Sequence, residues 1–212
     1  MNPTLLNLFI TGTDTGAGKT YAASLLVRGL RKAGFDTVGM KPVCCGDRED
    51  AEALCEAAGN AIELNDVNPV WLRTPAAPYT ASMIENRHID LDLIHETFGR
   101  LRKSHRSLIV EGVGGWLVPI RKDYFVSDLA ADFGLPVAVV VRNRLGALNH
   151  AMLTVRAVQA KGVECAGIIW NDMDAGDDVA TTTNRSMLED LLEVPVLFEI
   201  GKGQTELALG VA

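Results

Sequence analysis

A glycine-rich turn between an apolar run and a helical segment most constrains the fold of this chain. The run Leu5–Ile10 is typical of a buried strand, and residues 12–20 then read Gly-Thr-Asp-Thr-Gly-Ala-Gly-Lys-Thr. Glycines in such a loop let backbone N–H groups close around phosphate oxygens, while the helix dipole adds partial positive charge. The pattern predicts a nucleotide site in which Lys19 neutralises the terminal phosphates and the Thr20 hydroxyl binds Mg²⁺.

The spacing of this phosphate loop is unusual. The first glycine of the common pattern G-x-x-x-x-G-K-[ST] would stand at Thr13, and Gly12 lies one residue earlier. A glycine-rich turn that only reverses the chain is the alternative. The Gly-Lys-Thr ending and the strand–helix context favour the phosphate loop.

Composition favours a single domain over residues 1–212, because no linker, repeat or low-complexity tract divides the chain. The net charge of −7 argues against a nucleic-acid partner, which requires a surplus of Lys and Arg. No apolar run approaches the ~18 residues of a membrane helix, and the first residues do not resemble a signal peptide. We therefore expect a cytoplasmic protein with no membrane partner. The four cysteines form no C-x-x-C pair, so neither a zinc site nor a disulfide framework is expected.

Apolar runs alternate with helical patterns along the chain, which indicates an α/β fold. Within these runs apolar and polar residues do not alternate, as is typical of a parallel sheet buried on both faces. The fold predicted is therefore a single-domain, mostly parallel sheet flanked by helices, similar to P-loop NTPases. The predicted strands are Leu5–Thr11, Thr37–Met40, Leu108–Val110, Val137–Val141, Ala166–Trp170 and Val194–Leu197.

Two helices are predicted from apolar residues at helical spacing. Asp90 is the expected N-cap of the first, and the second is expected after Asn149. Their apolar faces are Leu91, Ile94, Phe98 and Leu101 in the first, and Ala151, Met152, Val155 and Val158 in the second.

Ligands of such sheets bind beyond the carboxyl ends of the strands, where this chain has several polar residues. Lys41 is interpreted as a second cation for a transferring phosphoryl group, the alternative being a surface lysine. Glu111 precedes a glycine-rich stretch and is interpreted as a direct or water-mediated Mg²⁺ ligand, the alternative being a solvated carboxylate. For Asp50, spacing leaves open whether it serves the metal or only begins a helix.

Two later segments are candidates for ligand contact. Asn171 ends a strand and offers both a donor and an acceptor to an adenine edge, although a turn-forming Asn is the alternative. Residues 146–150 precede the second predicted helix, whose free N–H groups suit a carboxylate.

Five short strings, in order from about Phe9 to about Asp172, make the chain resemble the dethiobiotin synthetase family. The strings are Thr11–Thr15 with Gly18–Thr20, Lys41–Val43, Val110–Gly112 with Gly114–Trp116, Leu145–Gly146 with Asn149–Thr154, and Asn171–Asp172.

The resemblance implies an ATP-dependent ligase of biotin biosynthesis that converts 7,8-diaminononanoate, CO₂ and ATP into dethiobiotin, ADP and phosphate. An amine takes up CO₂, the carbamate attacks the γ-phosphoryl group, and the second amine closes a cyclic urea. The family also implies Mg²⁺ and a homodimer whose substrate site lies at the interface, with the partner subunit binding the substrate carboxylate.

The residue roles carried over by resemblance fall into four groups. The catalytic residues would be Lys41, Lys19 and Thr15. The nucleotide-binding residues would be Gly16, Ala17, Gly18, Lys19, Thr20, Tyr21, Asp50, Glu111, Gly112, Val113, Gly114, Asn171 and Asp172. The substrate-binding residues would be Thr15, Lys41, Cys45, Gly146, Ala147 and Asn149. The metal ligands would be Thr20, Asp50 and Glu111.

The chain departs from the family pattern at three places. Cys45 stands where a serine is frequent, Gly16 replaces an acidic residue of some members, and 201–203 replaces a proline-containing loop near the base. Two alternatives stay open: another ATP-dependent ligase of the superfamily, or a partner-regulated ATPase switch of the cell-division or DNA-segregation type. Such switches characteristically have a lysine where Asp14 stands here.

Overall fold

The computed structural model describes residues 3–174, 176 and 178–207. After a short 3₁₀ helix at Pro3–Leu6, strands and helices alternate along the chain. The strands are β1 (Asn7–Gly12), β2 (Thr37–Met40), β3 (Val43–Cys45), β4 (Val70–Leu72), β5 (Ser107–Glu111), β6 (Pro119–Arg121), β7 (Tyr124–Phe125), β8 (Val137–Arg142), β9 (Cys165–Asn171) and β10 (Val196–Ile200). The helices are α1 (Lys19–Lys32), α2 (Glu49–Ala57), α3 (Leu64–Val67), α4 (Pro78–Ile84), α5 (Leu91–Ser104), α6 (Val126–Phe133), α7 (Ala147–Ala160) and α8 (Val179–Leu191).

Six strands form one parallel sheet in the order β10-β9-β8-β1-β5-β2. Strand β1 lies between β5 and β8, with Ile10 beside Glu111 and Gly12 beside Val140. Strands β2 and β5 are buried throughout and β1 is buried except at Asn7, as expected of a sheet covered on both faces. The α/β prediction is confirmed, and the carboxyl ends of the strands lie along one edge.

The predicted strands match the sheet closely except at the first and the last. The first begins at Asn7 rather than Leu5, because Pro3–Leu6 form a 3₁₀ helix. The last strand also begins later than predicted. That strand begins at Val196 rather than Val194, because Pro195 has no N–H to donate and instead accepts a bond from Ile168 N through its carbonyl oxygen. The pairs β3–β4 and β6–β7 were not predicted. With two or three residues each, these strands are too short to show a periodic pattern.

The two helices predicted by period are present. The Asp90 carboxylate accepts a bond from Leu93 N at 2.9 Å and caps α5 as predicted. The predicted start of the second helix was wrong, because α7 begins at Ala147 and Asn149 lies in its first turn. Gly146, with φ of +90°, makes the turn into the helix at a position where only glycine fits easily.

All four cysteines are unpaired, and Cys44 and Cys55 are buried. Across the described ranges, no helix is both long and apolar enough to cross a membrane.

Candidate active site

The phosphate loop joins β1 to α1 at the centre of the sheet edge. Gly16 and Gly18 have φ values of +75° and +96°, which L side chains rarely adopt. A Cβ at Gly18 would also collide with the Asn171 side-chain amide. The loop leads into the N-terminus of α1, where unpaired N–H groups and the helix dipole favour an anion.

Lys41, directly after β2, places its ammonium beside two carboxylates. The Lys41 Nζ lies 2.5 Å from Glu111 Oε1 and 2.7 Å from Asp50 Oδ2, and all three residues line the same cavity. Burial by itself lowers the pKa of Lys41, but the charges of Glu111 and Asp50 outweigh burial and raise it. Lys41 is therefore a buried, permanently charged cation and not a surface lysine.

Thr20, in the first turn of α1, faces the same two carboxylates. Its hydroxyl oxygen lies 2.6 Å from Asp50 Oδ1 and 2.9 Å from Glu111 Oε1. Burial alone would raise the pKa of Asp50, but the neighbouring charge of Lys41 outweighs burial, and the pKa of Asp50 is lowered. The pKa of Glu111 is raised, because burial is the larger effect there. Asp50 is thus both an acid in the first turn of α2 and a member of the site.

The donor set around Thr20 fits Mg²⁺. Oxygen atoms of Thr20, Asp50 and Glu111 converge, and Glu111 Oε2 is buried with no hydrogen-bond partner among the residues that the structure describes. Oxygen ligands of this kind suit a small hard cation that keeps part of its water. Throughout the described residues no group of three His, Cys, Asp or Glu side chains is arranged for a metal, so this set would need the hydroxyl and water as well.

Lys19, the second cation of the site, is the first residue of α1. Its ammonium donates to the Asp14 carbonyl oxygen at 3.1 Å. Burial, and then the neighbouring charge of Lys41, lowers the pKa of Lys19 to about 8. An incoming phosphate would relieve both effects, because it brings negative charge to a lysine that lacks a carboxylate partner among the described ion pairs.

A cavity of about 710 Å³ opens beside these groups and brings most of the predicted site residues together. Those lining it are Thr15, Gly16, Gly18, Lys19, Thr20, Tyr21, Lys41, Cys45, Asp50, Glu111, Val113 and Gly114. It is also lined by residues the sequence reasoning missed: Cys44, Asp47, Pro75, Ala76, Ala77, Pro78 and Val118. The closely spaced prolines at 75 and 78 were the available signal, since they indicate a fixed loop.

Other predicted residues lie outside the lining of this cavity. Gly146, Ala147 and Asn149 form the start of α7, where Ala147 N donates to Arg144 O. Ala17 and Gly112 contribute backbone: the Ala17 carbonyl oxygen accepts from Asn171, and Gly112 O lies 3.4 Å from Lys41 Nζ.

Asn171 holds the phosphate loop through its side chain. Its Nδ2 donates to Ala17 O at 2.8 Å, and its Oδ1 accepts from Met173 N at 3.0 Å. The Asp172 carboxylate accepts a bond from the buried Asn143 at 2.7 Å. In this arrangement the Asn171 amide keeps one N–H and one lone pair for a further partner.

A family model described as an AAA domain matches residues 6–204. The chain is 46% identical to an ATP-dependent dethiobiotin synthetase of Akkermansia muciniphila, over 97% of this chain and 96% of that protein. It is 43% identical to one from Anaeromyxobacter dehalogenans, over 87% and 84% respectively. This chain belongs to the dethiobiotin synthetase family. The dethiobiotin synthetases are ATP-dependent ligases, so the family and the enzyme class expected from the sequence are confirmed.

Two solved structures that share this fold come from proteins of other kinds. The MinC:MinD cell division complex of Aquifex aeolicus gives a TM-score of 0.59 at 15% identity, covering 92% of this chain and 81% of that one. A ParA family ATPase of Chlorobium tepidum gives 0.57 at 11% identity, covering 94% and 86%. Identities this low show the fold alone, so the switch alternative has no support beyond shared architecture.

Proposed function

We propose that this chain carries out the reaction of its family on 7,8-diaminononanoate, CO₂ and ATP. One amine adds to CO₂ and loses a proton, giving a carbamate. The carbamate oxygen attacks the γ-phosphorus of ATP, and ADP leaves. The second amine then attacks the carbamoyl carbon and loses a proton, phosphate leaves with its electron pair, and a cyclic urea, dethiobiotin, is formed.

The observation that supports this proposal most is that two buried lysines, Lys19 and Lys41, line one cavity beside a phosphate loop. The reaction needs no covalent enzyme nucleophile, so the protein must chiefly position its reactants and stabilise phosphoryl charge. Lys41, held charged by Glu111 and Asp50, would stabilise charge on the carbamate and the transferring group. Lys19 would neutralise the phosphates.

Mg²⁺ is part of the proposal. Thr20, Asp50 and Glu111 would hold it, directly or through water. Their converging oxygens support this, as does Glu111 Oε2, which has no hydrogen-bond partner in the described part of the chain. When bound there, Mg²⁺ would supply charge stabilisation for the phosphoryl oxygens.

The diamine end of the substrate would lie between Thr15 and Cys45, which both line the cavity. Burial raises the pKa of the Cys45 thiol to about 11, so that the thiol stays protonated at neutral pH. Cys45 therefore offers a weak neutral S–H donor where a serine would offer a hydroxyl. Asn171 and Asp172 would lie near the adenine, with the remaining N–H of Asn171 available to it.

We also propose a homodimer, in the cytoplasm, in which Gly146, Ala147 and Asn149 of one subunit complete the site of the other. In support, these residues do not line the cavity of their own chain, yet they start a helix suited to a carboxylate. Two large apolar side chains near this helix start, Leu145 and Leu153, are exposed in the single chain.

A product assay tests the proposed function. Purified protein is incubated with 7,8-diaminononanoate, bicarbonate, Mg²⁺ and ATP, and dethiobiotin is sought by mass spectrometry. ADP release should require both the diamine and bicarbonate. Fast ATP hydrolysis with neither present, stimulated instead by a protein or a membrane, would refute the proposal and favour an ATPase switch.

A further inference from the structure

Asn68 is a buried polar residue that lies outside the cavity. Its side chain holds the backbone of Lys41 by a hydrogen bond. Only 1% of Asn68 is exposed, and its Nδ2 donates to Lys41 O and Val70 O, each at 2.8 Å. Lys41 N in turn donates to Val67 O at 2.7 Å. Lys41 lies one residue beyond β2, and its backbone N–H and C=O bond to Val67, the last residue of α3, and to Asn68 just after it, rather than to the main sheet.

Arg48 reaches Asn68 from the other side. Its Nε donates to Asn68 Oδ1 and its Nη2 to Asn68 O, both at 3.0 Å, and the guanidinium also contacts Asn65 Oδ1 at 3.2 Å. The same group lies over the ring of Trp71, 5.5 Å from the ring centroid. Arg48 immediately precedes α2 and stands two residues before Asp50.

We propose that Arg48 and Asn68 form a clamp that sets the position of Lys41 relative to Asp50. Arg48 fixes the start of the helix that carries Asp50, and Asn68 fixes the backbone that carries Lys41. The planar fork of an arginine constrains orientation as well as distance, and a buried amide with its donors and acceptor paired resists displacement.

The clamp rests on the proposed function, because it matters for catalysis only if Lys41 stabilises the reacting groups. Arg48 and Asn68 do not line the cavity, so they are positioning residues. A shift of about 1 Å in a group that contacts reactants can lower a rate by about 100-fold. Loss of the clamp should therefore lower kcat while nucleotide affinity stays close to that of the wild type.

Two substitutions separate the halves of the clamp. Asn68→Asp keeps the oxygens that accept from Arg48 but loses the N–H groups that hold Lys41 O. Arg48→Gln removes the fork and leaves Asn68 in place. We expect each to lower kcat by about 10-fold or more, with KM for ATP nearly unchanged. Arg48→Lys should not rescue kcat, because lysine keeps the charge and loses the two-pronged geometry.

Arg100→Gln is the matched control. Arg100 makes a two-pronged pair with Asp66 of α3, at 2.8 and 3.0 Å, but contacts neither Asn68 nor Lys41. The substitution Arg100→Gln therefore removes a contact of the short helix α3 and leaves the contacts of the clamp in place. Its kcat and KM values should stay near those of the wild type, and thermal melting of all variants shows whether they are folded.

Hydrogen–deuterium exchange gives a second readout that does not depend on the reaction. Exchange over residues 38–54 should accelerate in Asn68→Asp and Arg48→Gln and stay at the wild-type rate in Arg100→Gln. Folded clamp variants with normal kcat, or an equal loss of kcat in Arg100→Gln, would overturn the proposal. If the wild type makes no dethiobiotin, the proposed function fails, and the exchange rates alone decide: acceleration confined to the clamp variants supports the clamp, and unchanged exchange overturns it.

Discussion

The Lys41 ammonium lies 2.5 Å from Glu111 Oε1, and neither side chain is more than 3% exposed. A charge pair this deeply buried is costly to break from one side, because the partner left behind must either hold an unpaired charge away from water or change its protonation state. The same pair therefore links the chemistry of the site to the stability of the fold.

Lys41→Gln should lower kcat by about 100-fold or more, as loss of a preorganised charge-stabilising donor does. It should also lower the free energy of unfolding by roughly 3 kcal/mol, because Glu111 loses its buried counter-ion. The double variant Lys41→Gln/Glu111→Gln should recover much of that stability while kcat stays low. Initial rates and urea denaturation measure the two effects. Near-normal turnover of Lys41→Gln would contradict a catalytic role for this lysine. If the single and the double variant were equally unstable, the explanation by an unpaired buried charge would be wrong.

The depressed pKa of Lys19 predicts that ATP binding takes up a proton above pH 8. Bound phosphates favour the ammonium, so its pKa rises from about 8 when nucleotide binds. ATP affinity should therefore fall as pH rises through about 8, and calorimetry in buffers of different ionisation enthalpy should detect the proton. Lys19→Arg, which keeps its charge, should bind ATP without this pH dependence. A wild-type affinity that is flat over the range would contradict the lowered pKa.

The same group gives a stability prediction with the opposite trend. In the unfolded chain Lys19 keeps its proton up to about pH 10.5, whereas in the folded protein it loses the proton near pH 8. The unfolded state binds more protons between these values, so the contribution of Lys19 to the free energy of unfolding rises with pH in that window. Urea denaturation of the wild type and Lys19→Arg, compared at several pH values, isolates this contribution. A difference between the two that does not change with pH would count against it.

Asn171→Ala should weaken binding of inorganic tripolyphosphate as well as of ATP. The Asn171 amide holds Ala17 O in the phosphate loop, and loss of one such bond costs roughly 1 kcal/mol, or about five-fold in affinity. Contact with the adenine adds a further loss that only ATP shows. Asn184→Ala, which removes another buried asparagine that bonds to Asn143 and Arg144, should leave both affinities unchanged. Normal tripolyphosphate binding by Asn171→Ala would mean that this residue acts on the base alone.

Asn149→Leu should raise the KM for the diamine while ATP binding stays nearly unchanged. The positive end of the helix dipole at the start of α7 suits the substrate carboxylate, and a leucine there removes a polar contact. Arg156→Gln, an exposed change on the same helix, is the control and should leave this KM unaltered.

Subunit mixing tests whether the site is shared. Two separately purified variants are mixed. One carries Lys19→Gln, and the other carries Asn149→Leu together with a bulky change at Gly146 that makes it inactive. A mixed dimer has one site with both defects and one with neither, so activity should partly return. If the mixture stays inactive although subunits exchange, each site is built from a single chain.

The sequence by itself determined the features that depend on neighbouring residues. The loop at 12–20, the buried strands and the Asp90 cap follow from glycine positions, apolar runs and capping chemistry, which act over a few residues. The placement of Lys41 and Glu111 at strand ends was also predictable, because parallel strands end on one edge.

Only the tertiary structure decided which of these strand ends lie next to one another. The sheet order puts β1 between β5 and β8, and this brings Glu111 to Thr20 across 91 positions of sequence and Asn171 to Ala17 across 154. The clamp of Arg48 on Asn68 likewise depends on how α2 packs beside α3. Local periodicity carries no information about strand order or helix packing, since both are set by which buried faces fit together once the whole chain has collapsed.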